Sequence, residues 1–232
     1  MNEPILDIPK GGFLAEVTVP ITQAWVKKRN ELVRTYRFYY GSTHWVDFAI
    51  VDEFGAAWYR VYDDREEKYY FALAEHFRPI PPEELNPTSL DVADKRIEIY
   101  LAEQVLTAYE NGREVFTTLV STGAGNTETP IGEFRIERKR PSRHMAATEG
   151  NGFDLPAVPW VCFISWTGVS IHGTYWHNNF GHTMSHGCIN LTTEAAKWIY
   201  RWTLPVVPPE QVFLEKSVYG TPVIIYEKYP YT

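Results

Sequence analysis

Asn111-Gly112 stands between two runs, Val105 to Glu110 and Arg113 to Ser121, and both turn residues tolerate the positive φ that a two-residue hairpin demands. An antiparallel hairpin is therefore expected here. Arg96-Ile97-Glu98-Ile99-Tyr100-Leu101 alternates as a half-buried strand does, and further strands are expected near Ile131 to Glu137, Val158 to Ser165, Val169 to His172 and Pro222 to Glu227. One helix is marked: Ala195, Trp198, Ile199 and Trp202 fall at i, i+3, i+4 and i+7, Thr192 can cap its start, Glu194 lies in the first turn and Pro205 follows its end. The expected fold is mostly β with that one clear helix.

The chain has 232 residues, which suits one full domain and a smaller companion. Residues 79–90 read as a linker, because Pro79 to Pro87 holds four prolines and little that suits a core. Before it, Trp58 to Tyr62 and Lys68 to Leu73 are short aromatic strands separated by the charged turn Asp63 to Glu67, which places a small all-β module of SH3-like type at 11–78. The catalytic part is then expected at 91–232. With 22 basic against 29 acidic residues and a formal net charge of -7, the chain lacks the basic footprint of a nucleic-acid binder. Arg138-Lys139-Arg140 with Arg143 reads as a solvated basic turn able to attract carboxylates. No apolar run of 18 residues occurs and Met1 to Asp7 lacks the regions of a secretory signal, so no membrane segment is expected.

The chemistry lies in Ser185-His186-Gly187-Cys188. A thiol with a pKa of about 8.5 is mostly protonated at neutral pH, so a nucleophilic cysteine needs a base or positive field beside it, and His172 and His186 are the candidates. The window from His172 to Cys188 holds four of the chain's seven histidines. Zinc is one alternative, but the histidine spacings of five, five and four pass through Gly and Asn and match no usual zinc pattern. A papain-like order is another, and there the cysteine precedes its histidine, whereas here His172 comes first. Cys162, in the apolar run Val158 to Ile164, reads as a buried small hydrophobe and not as a disulfide partner. From the residues alone the reading is acyl transfer by a thiol.

Several motifs occur together: His172-Gly173-Thr174, then Ser185-His186-Gly187-Cys188 followed by Ile189 and Asn190, with Ser121-Thr122-Gly123, Thr129-Pro130-Ile131-Gly132-Glu133-Phe134 and Gly220-Thr221-Pro222-Val223-Ile224-Ile225. This set resembles the L,D-transpeptidase (YkuD-type) catalytic domain over about residues 91–227. Many members carry Arg where this chain has Asn190, and an Asn variant of the motif also exists. The resemblance implies a mixed β-sandwich catalytic domain preceded here by the small all-β module. It implies Cys188 as nucleophile, His172 as its base or imidazolium partner, and the Gly173 carbonyl as the group that orients the imidazole. His186 and Gly187 would shape the site, the backbone N–H groups of 186–188 forming an oxyanion hole. From the sequence itself, the helix begins about four residues after Cys188, so its dipole is expected to assist thiol ionisation modestly. Ser185, Asn190, Tyr175, Trp176 and His177 are the expected substrate contacts. The implied donor is a peptidoglycan stem tetrapeptide, cut before its terminal D-alanine. The implied acceptor is the side-chain amine of another stem, giving a 3-to-3 cross-link, with water as the alternative acceptor in an L,D-carboxypeptidase. Carbapenem β-lactams are the implied covalent inhibitors, and no metal or cofactor is called for. The implied workplace is outside the cytoplasmic membrane, in periplasm or cell wall, with the export segment absent from this chain.

Overall fold

The computed structural model describes residues 1–29, 31–147, 152–209, 211, 214 and 219–229. The chain divides into two compact units, residues 1–85 with 141–159 and residues 86–140 with 160–232.

The first unit is built on seven strands: β1 (Phe13–Val17), β2 (Ile21–Lys28), β3 (Glu31–Tyr39), β4 (Thr43–Val51), β5 (Ala57–Asp63), β6 (Lys68–Leu73) and β7 (Phe77–Pro79). They form one sheet in the order β3-β2-β6-β5-β4-β1-β7, each pair antiparallel. The period of two decides which face is buried. On β5, Tyr59 and Val61 point inward, joining a core with Ala15, Val17, Phe38, Val46, Tyr70 and Phe77, and Asp63 is buried on the same face.

The proline-rich stretch read as a linker is ordered structure through residue 85. Pro79 closes the edge strand β7, where a missing N–H costs no ladder bond, and Pro82–Leu85 is a turn of 3-10 helix. Arg78 ties the stretch down by pairing with Glu16 at 2.7 Å and Glu84 at 2.6 Å, and Ile80 is buried.

Residues 141–159 also group with this unit, although the sequence boundary placed them in the catalytic part. The reason lies in polar groups that the local pattern does not reveal. Thr43 Oγ1 donates to the Pro141 carbonyl, Ser142 Oγ donates to the Thr43 carbonyl, and Arg143 pairs with Asp64. His144 is held at both nitrogens, Nδ1 by Asp63 at 2.7 Å and Nε2 by Asp154 at 2.5 Å.

The chain continues with β8 (Lys95–Tyr100), β9 (Val105–Glu110), β10 (Arg113–Leu119), β11 (Gly132–Arg135), β12 (Arg138–Ala146), β13 (Asp154–Phe163), β14 (Ser170–Gly173), β15 (Ile189–Leu191), helix α1 (Thr193–Trp202) and β16 (Pro222–Tyr226). Two sheets result, β10-β9-β8-β16-β11 and β12-β13-β14-β15. Between β9 and β10, Asn111 and Gly112 adopt φ of 49° and 76°, as the hairpin requires.

Helix α1 follows its sequence signals. Thr192 Oγ1 accepts the N–H of Ala195 at 3.2 Å, and Ala195, Ala196, Ile199, Tyr200 and Trp202 are buried. Trp198 stacks on Phe116. The end of the helix overturns the reading of the basic tract. Lys139 lies in β12 with 1% of its surface exposed, and its ammonium donates to the carbonyls of Tyr200, Thr203 and Pro205. Lys95 donates to the Trp202 carbonyl. The two lysines thus satisfy carbonyls at the C-terminal end of α1, and burial pushes the Lys139 pKa down to about 8.

Candidate active site

Strands β14 and β15 run parallel, so no tight turn can join them, and the connection is the loop 174–188. That loop is the histidine-rich segment of the sequence. The register pairs Ile171 with Ile189, His172 with Asn190 and Gly173 with Leu191. Alternation sends Ile171, Ile189 and Leu191 to one face, where they are fully buried. Ser170, His172, Cys188 and Asn190 therefore share the other face as a two-by-two grid, with Ser170 Oγ 3.6 Å from Cys188 Sγ.

His172 is buried, and its Nδ1 lies 3.0 Å from the Gly173 carbonyl. A carbonyl only accepts, so Nδ1 carries the proton and Nε2 is the basic nitrogen. Burial pushes the Cys188 thiol up, but the hydrogen bond and charge of His172, with the Ser170 hydroxyl, outweigh it, and the thiol titrates below its ordinary value. This arrangement can hold a thiolate beside an imidazolium. Cys162 is the contrast: fully buried, its thiol is raised by desolvation, with Lys139 and Thr203 opposing.

The backbone before Cys188 is pinned by small polar side chains. Ser185 Oγ accepts the N–H of Gly187 at 3.1 Å and donates to the Cys188 carbonyl. A developing oxyanion would compete with that hydroxyl for the Gly187 donor. Gly187 has φ of 108°, a conformation that favours glycine. Thr129 Oγ1 accepts the Gly123 N–H at 2.9 Å and donates to the Gly187 carbonyl at 3.0 Å. At Gly123 a Cβ would lie 2.0 Å from the Thr127 carbonyl oxygen, so only glycine fits. Ser121 and Asn190 exchange backbone hydrogen bonds of 3.0 and 2.9 Å, and Gln104 grips Thr122 through both ends of its amide. The Ser121-Thr122-Gly123 and Thr129 motifs thus brace the cysteine loop.

The structure brings Cys188, His172, Gly173, Ser185, Gly187 and Asn190 together. His177 joins through its Nε2, 3.0 Å from the Asn190 side-chain amide. Trp176, 36% exposed, has its ring 5.8 Å from that of His172, and Tyr175 packs edge-on against Trp176. The His186 residue is exposed. The dipole expectation is not met: β15 separates Cys188 from α1, and four residues of extended chain span roughly 13 Å, beyond the first-turn reach of a helix terminus. Sequence reasoning missed Ser170 as a partner of the thiol. Its signal was alternation, two residues before His172 on the same strand face. The bracing by Thr129 and Gln104 was also missed. Among the described residues no group of three or more His, Cys, Asp or Glu is placed to hold a metal.

The family model for the L,D-transpeptidase catalytic domain matches residues 94–225. The chain belongs to the L,D-transpeptidase catalytic-domain family, whose members are enzymes. It is 29% identical to L,D-transpeptidase 1 of Mycobacterium tuberculosis over 109 residues, 43% of either chain. To L,D-transpeptidase 2 of the same species it is 32% identical over 106 residues, 42% of this chain and 26% of that one. The chain thus spans less than half the length of these curated relatives. Among solved structures, an Enterococcus faecium L,D-transpeptidase aligns at 27% identity over 58% of this chain and 50% of that one, with a TM-score of 0.47.

Proposed function

We propose that this protein is a peptidoglycan L,D-transpeptidase that forms 3-to-3 cross-links through a thioester on Cys188. The observation that carries the reading is the grid itself: a buried imidazole whose Nδ1–H is committed to the Gly173 carbonyl, beside a thiol held below its ordinary pKa. His172 Nε2 takes the thiol proton. Cys188 Sγ attacks the carbonyl that joins the third stem residue to D-alanine, and His172 returns the proton to the departing D-alanine amine as the C–N bond breaks. The side-chain amine of a second stem then attacks the thioester, gives its proton to His172 and releases the cysteine. Ser170 stabilises the sulfur, and backbone N–H groups around Cys188 receive the oxyanion. By the same reading the protein works outside the cytoplasmic membrane, where its substrate is, and carbapenems acylate Cys188.

Mass spectrometry of products from a defined disaccharide tetrapeptide tests this. Dimers that have lost one D-alanine per cross-link are expected. Tripeptide monomers alone would assign the site to an L,D-carboxypeptidase, and unchanged substrate would overturn the reading.

A further inference from the structure

The outer face of the first unit's sheet is aromatic, where the solvent side of an antiparallel sheet is ordinarily polar. Tyr59 and Val61 of β5 point into the core, so alternation turns Trp58, Arg60 and Tyr62 outward. The register then lays one row across five strands: Phe48 on β4, Arg60 on β5, Phe71 on β6, Trp25 on β2 and Arg34 on β3. Tyr62 opposite Tyr69 flanks this row on one side and Ile50 opposite Trp58 on the other. Phe48, Ile50, Tyr62 and Tyr69 are exposed.

Charge on this face is one-sided. Past the row, Lys27 pairs with Leu32 on the same side, and both are exposed. Arg37, opposite Gln23, also points outward, since its neighbour Phe38 is buried in the core. Lys27, Arg34, Arg37 and Arg60 thus share the face. Among the described residues of these five strands its only acid is Asp47, which is committed to Arg60 at 2.8 and 2.9 Å. The chain as a whole carries a formal net charge of -7, so this surface runs against the average. Strand β3 is an edge, and cations there hinder pairing with another chain. Edge protection does not account for exposed rings on the central strands β4, β5 and β6.

The rings decide between partners. A sugar polymer stacks its C–H faces on open ring faces, and here guanidinium groups lie over them. The Arg60 guanidinium is 4.5 Å from the centroid of Tyr69 and 5.2 Å from that of Phe48, and that of Arg34 is 5.1 Å from Trp25. Aromatic side chains mixed with Lys and Arg on one broad face match a membrane interface, where rings settle at headgroup level and cations meet lipid phosphates.

We propose that this face docks on an anionic phospholipid bilayer. Phe48, Tyr62 and Tyr69 enter the headgroup layer with Leu32, while Lys27, Arg34 and Arg37 meet phosphate groups. No described helix is long and apolar enough to cross a membrane, and a face of this kind lies on a bilayer without crossing it. The proposal concerns the first unit and does not depend on the chemistry of Cys188.

Flotation of the full chain with vesicles of phosphatidylcholine, with and without phosphatidylglycerol, tests it. Binding is expected to the anionic vesicles only, and it should fall as salt is raised and the screening length shortens. Lys27→Gln combined with Arg34→Gln should weaken vesicle binding about 30-fold, the scale of two cations near an anionic surface. Lys27→Arg combined with Arg34→Lys, which keeps the charge, should retain it. Tyr69→Ser should weaken it roughly 10-fold. Melting curves identify any variant that has lost its fold, and the exposed Lys27 and Arg34 pair then decides the matter. No binding to anionic vesicles, equal binding to neutral ones, or undiminished binding by the double Gln variant would overturn the proposal. Retention on isolated glycan strands without binding to vesicles would assign the face to a sugar polymer and overturn it too, as would a dimer in sedimentation that Tyr69→Ser dissociates while vesicle binding is absent.

Discussion

His144 in the first unit and His172 in the second are each 2% exposed, yet their partners set them to opposite tasks. Burial pushes His144 down, but hydrogen bonds and charges from Asp63 and Asp154 at its two nitrogens outweigh it, so its pKa lies above the ordinary value. An imidazolium with both N–H groups committed to fixed carboxylates has no nitrogen left for a reactant, and it serves as a strut. His172 gives only Nδ1 to a neutral carbonyl and keeps Nε2 for a thiol. Burial alone therefore does not tell a structural histidine from a reactive one. The chemistry of the second partner does.

Substitutions separate the two tasks, and the largest effect is expected at the thiol. Cys188→Ala should lower the transpeptidation rate by about 10⁴-fold or more with thermal unfolding unchanged, as steady-state kinetics and a melting curve would show. Retained turnover would remove the thiol from the mechanism. His172→Ala should cost about 10²- to 10⁴-fold in kcat. It should also move the pH dependence of Cys188 alkylation to higher pH, because the groups that lower the thiol pKa act chiefly through this imidazole. An unmoved titration would assign the thiolate to another partner.

For His144 the expected effect is on stability. Replacement by Gln should cost about 3 kcal/mol in denaturant unfolding, the scale for breaking a buried charged pair. Its folded pKa is raised, so its contribution is complete below the unfolded value of about 6.5 and is lost as pH rises through the folded pKa. Asp63 has its folded pKa lowered, since hydrogen bonds and charge outweigh burial, and its contribution is lost as pH falls through that value. The wild-type chain should therefore lose melting temperature from mildly acid to alkaline pH, and His144→Gln should flatten that slope. A slope equally steep in the variant would remove His144 as its source. The smallest effect is expected at Cys162→Ala, about 1 kcal/mol of stability with turnover per folded molecule preserved.

What the sequence shows plainly is whatever is local. The Asn111-Gly112 hairpin, the alternation of β8 and the capped face of α1 each depend on residues within a few positions of one another. Strand β12 escapes such a reading. Its Arg138-Lys139-Arg140 letters look solvated, and Lys139 becomes buried only because the end of α1 supplies three carbonyls from distant sequence. The prolines of 79–85 mislead for the same reason, since an edge position and the carboxylates of Glu16 and Glu84 are tertiary facts. At the site, the motif points to Cys188 and His172 as the candidate pair. Ser170 becomes visible only once the parallel register of β14 and β15 sets it against Cys188. The three-residue β15 is too short to announce itself, and it is what separates the thiol from the helix terminus.

On the proposed mechanism, Cys188, paired with His172, takes the acyl group on its sulfur. A carbapenem tests it without the natural substrate, because its strained amide offers a carbonyl whose C–N bond opens as the thioester forms and whose nitrogen takes the proton from His172. Intact-protein mass should rise by one drug mass, carried on the peptide that contains Cys188 and not on the one with Cys162, and iodoacetamide pretreatment should block the gain. A thiol that alkylates readily yet gains no drug mass on long incubation, or an adduct that maps to another residue, would contradict the claim.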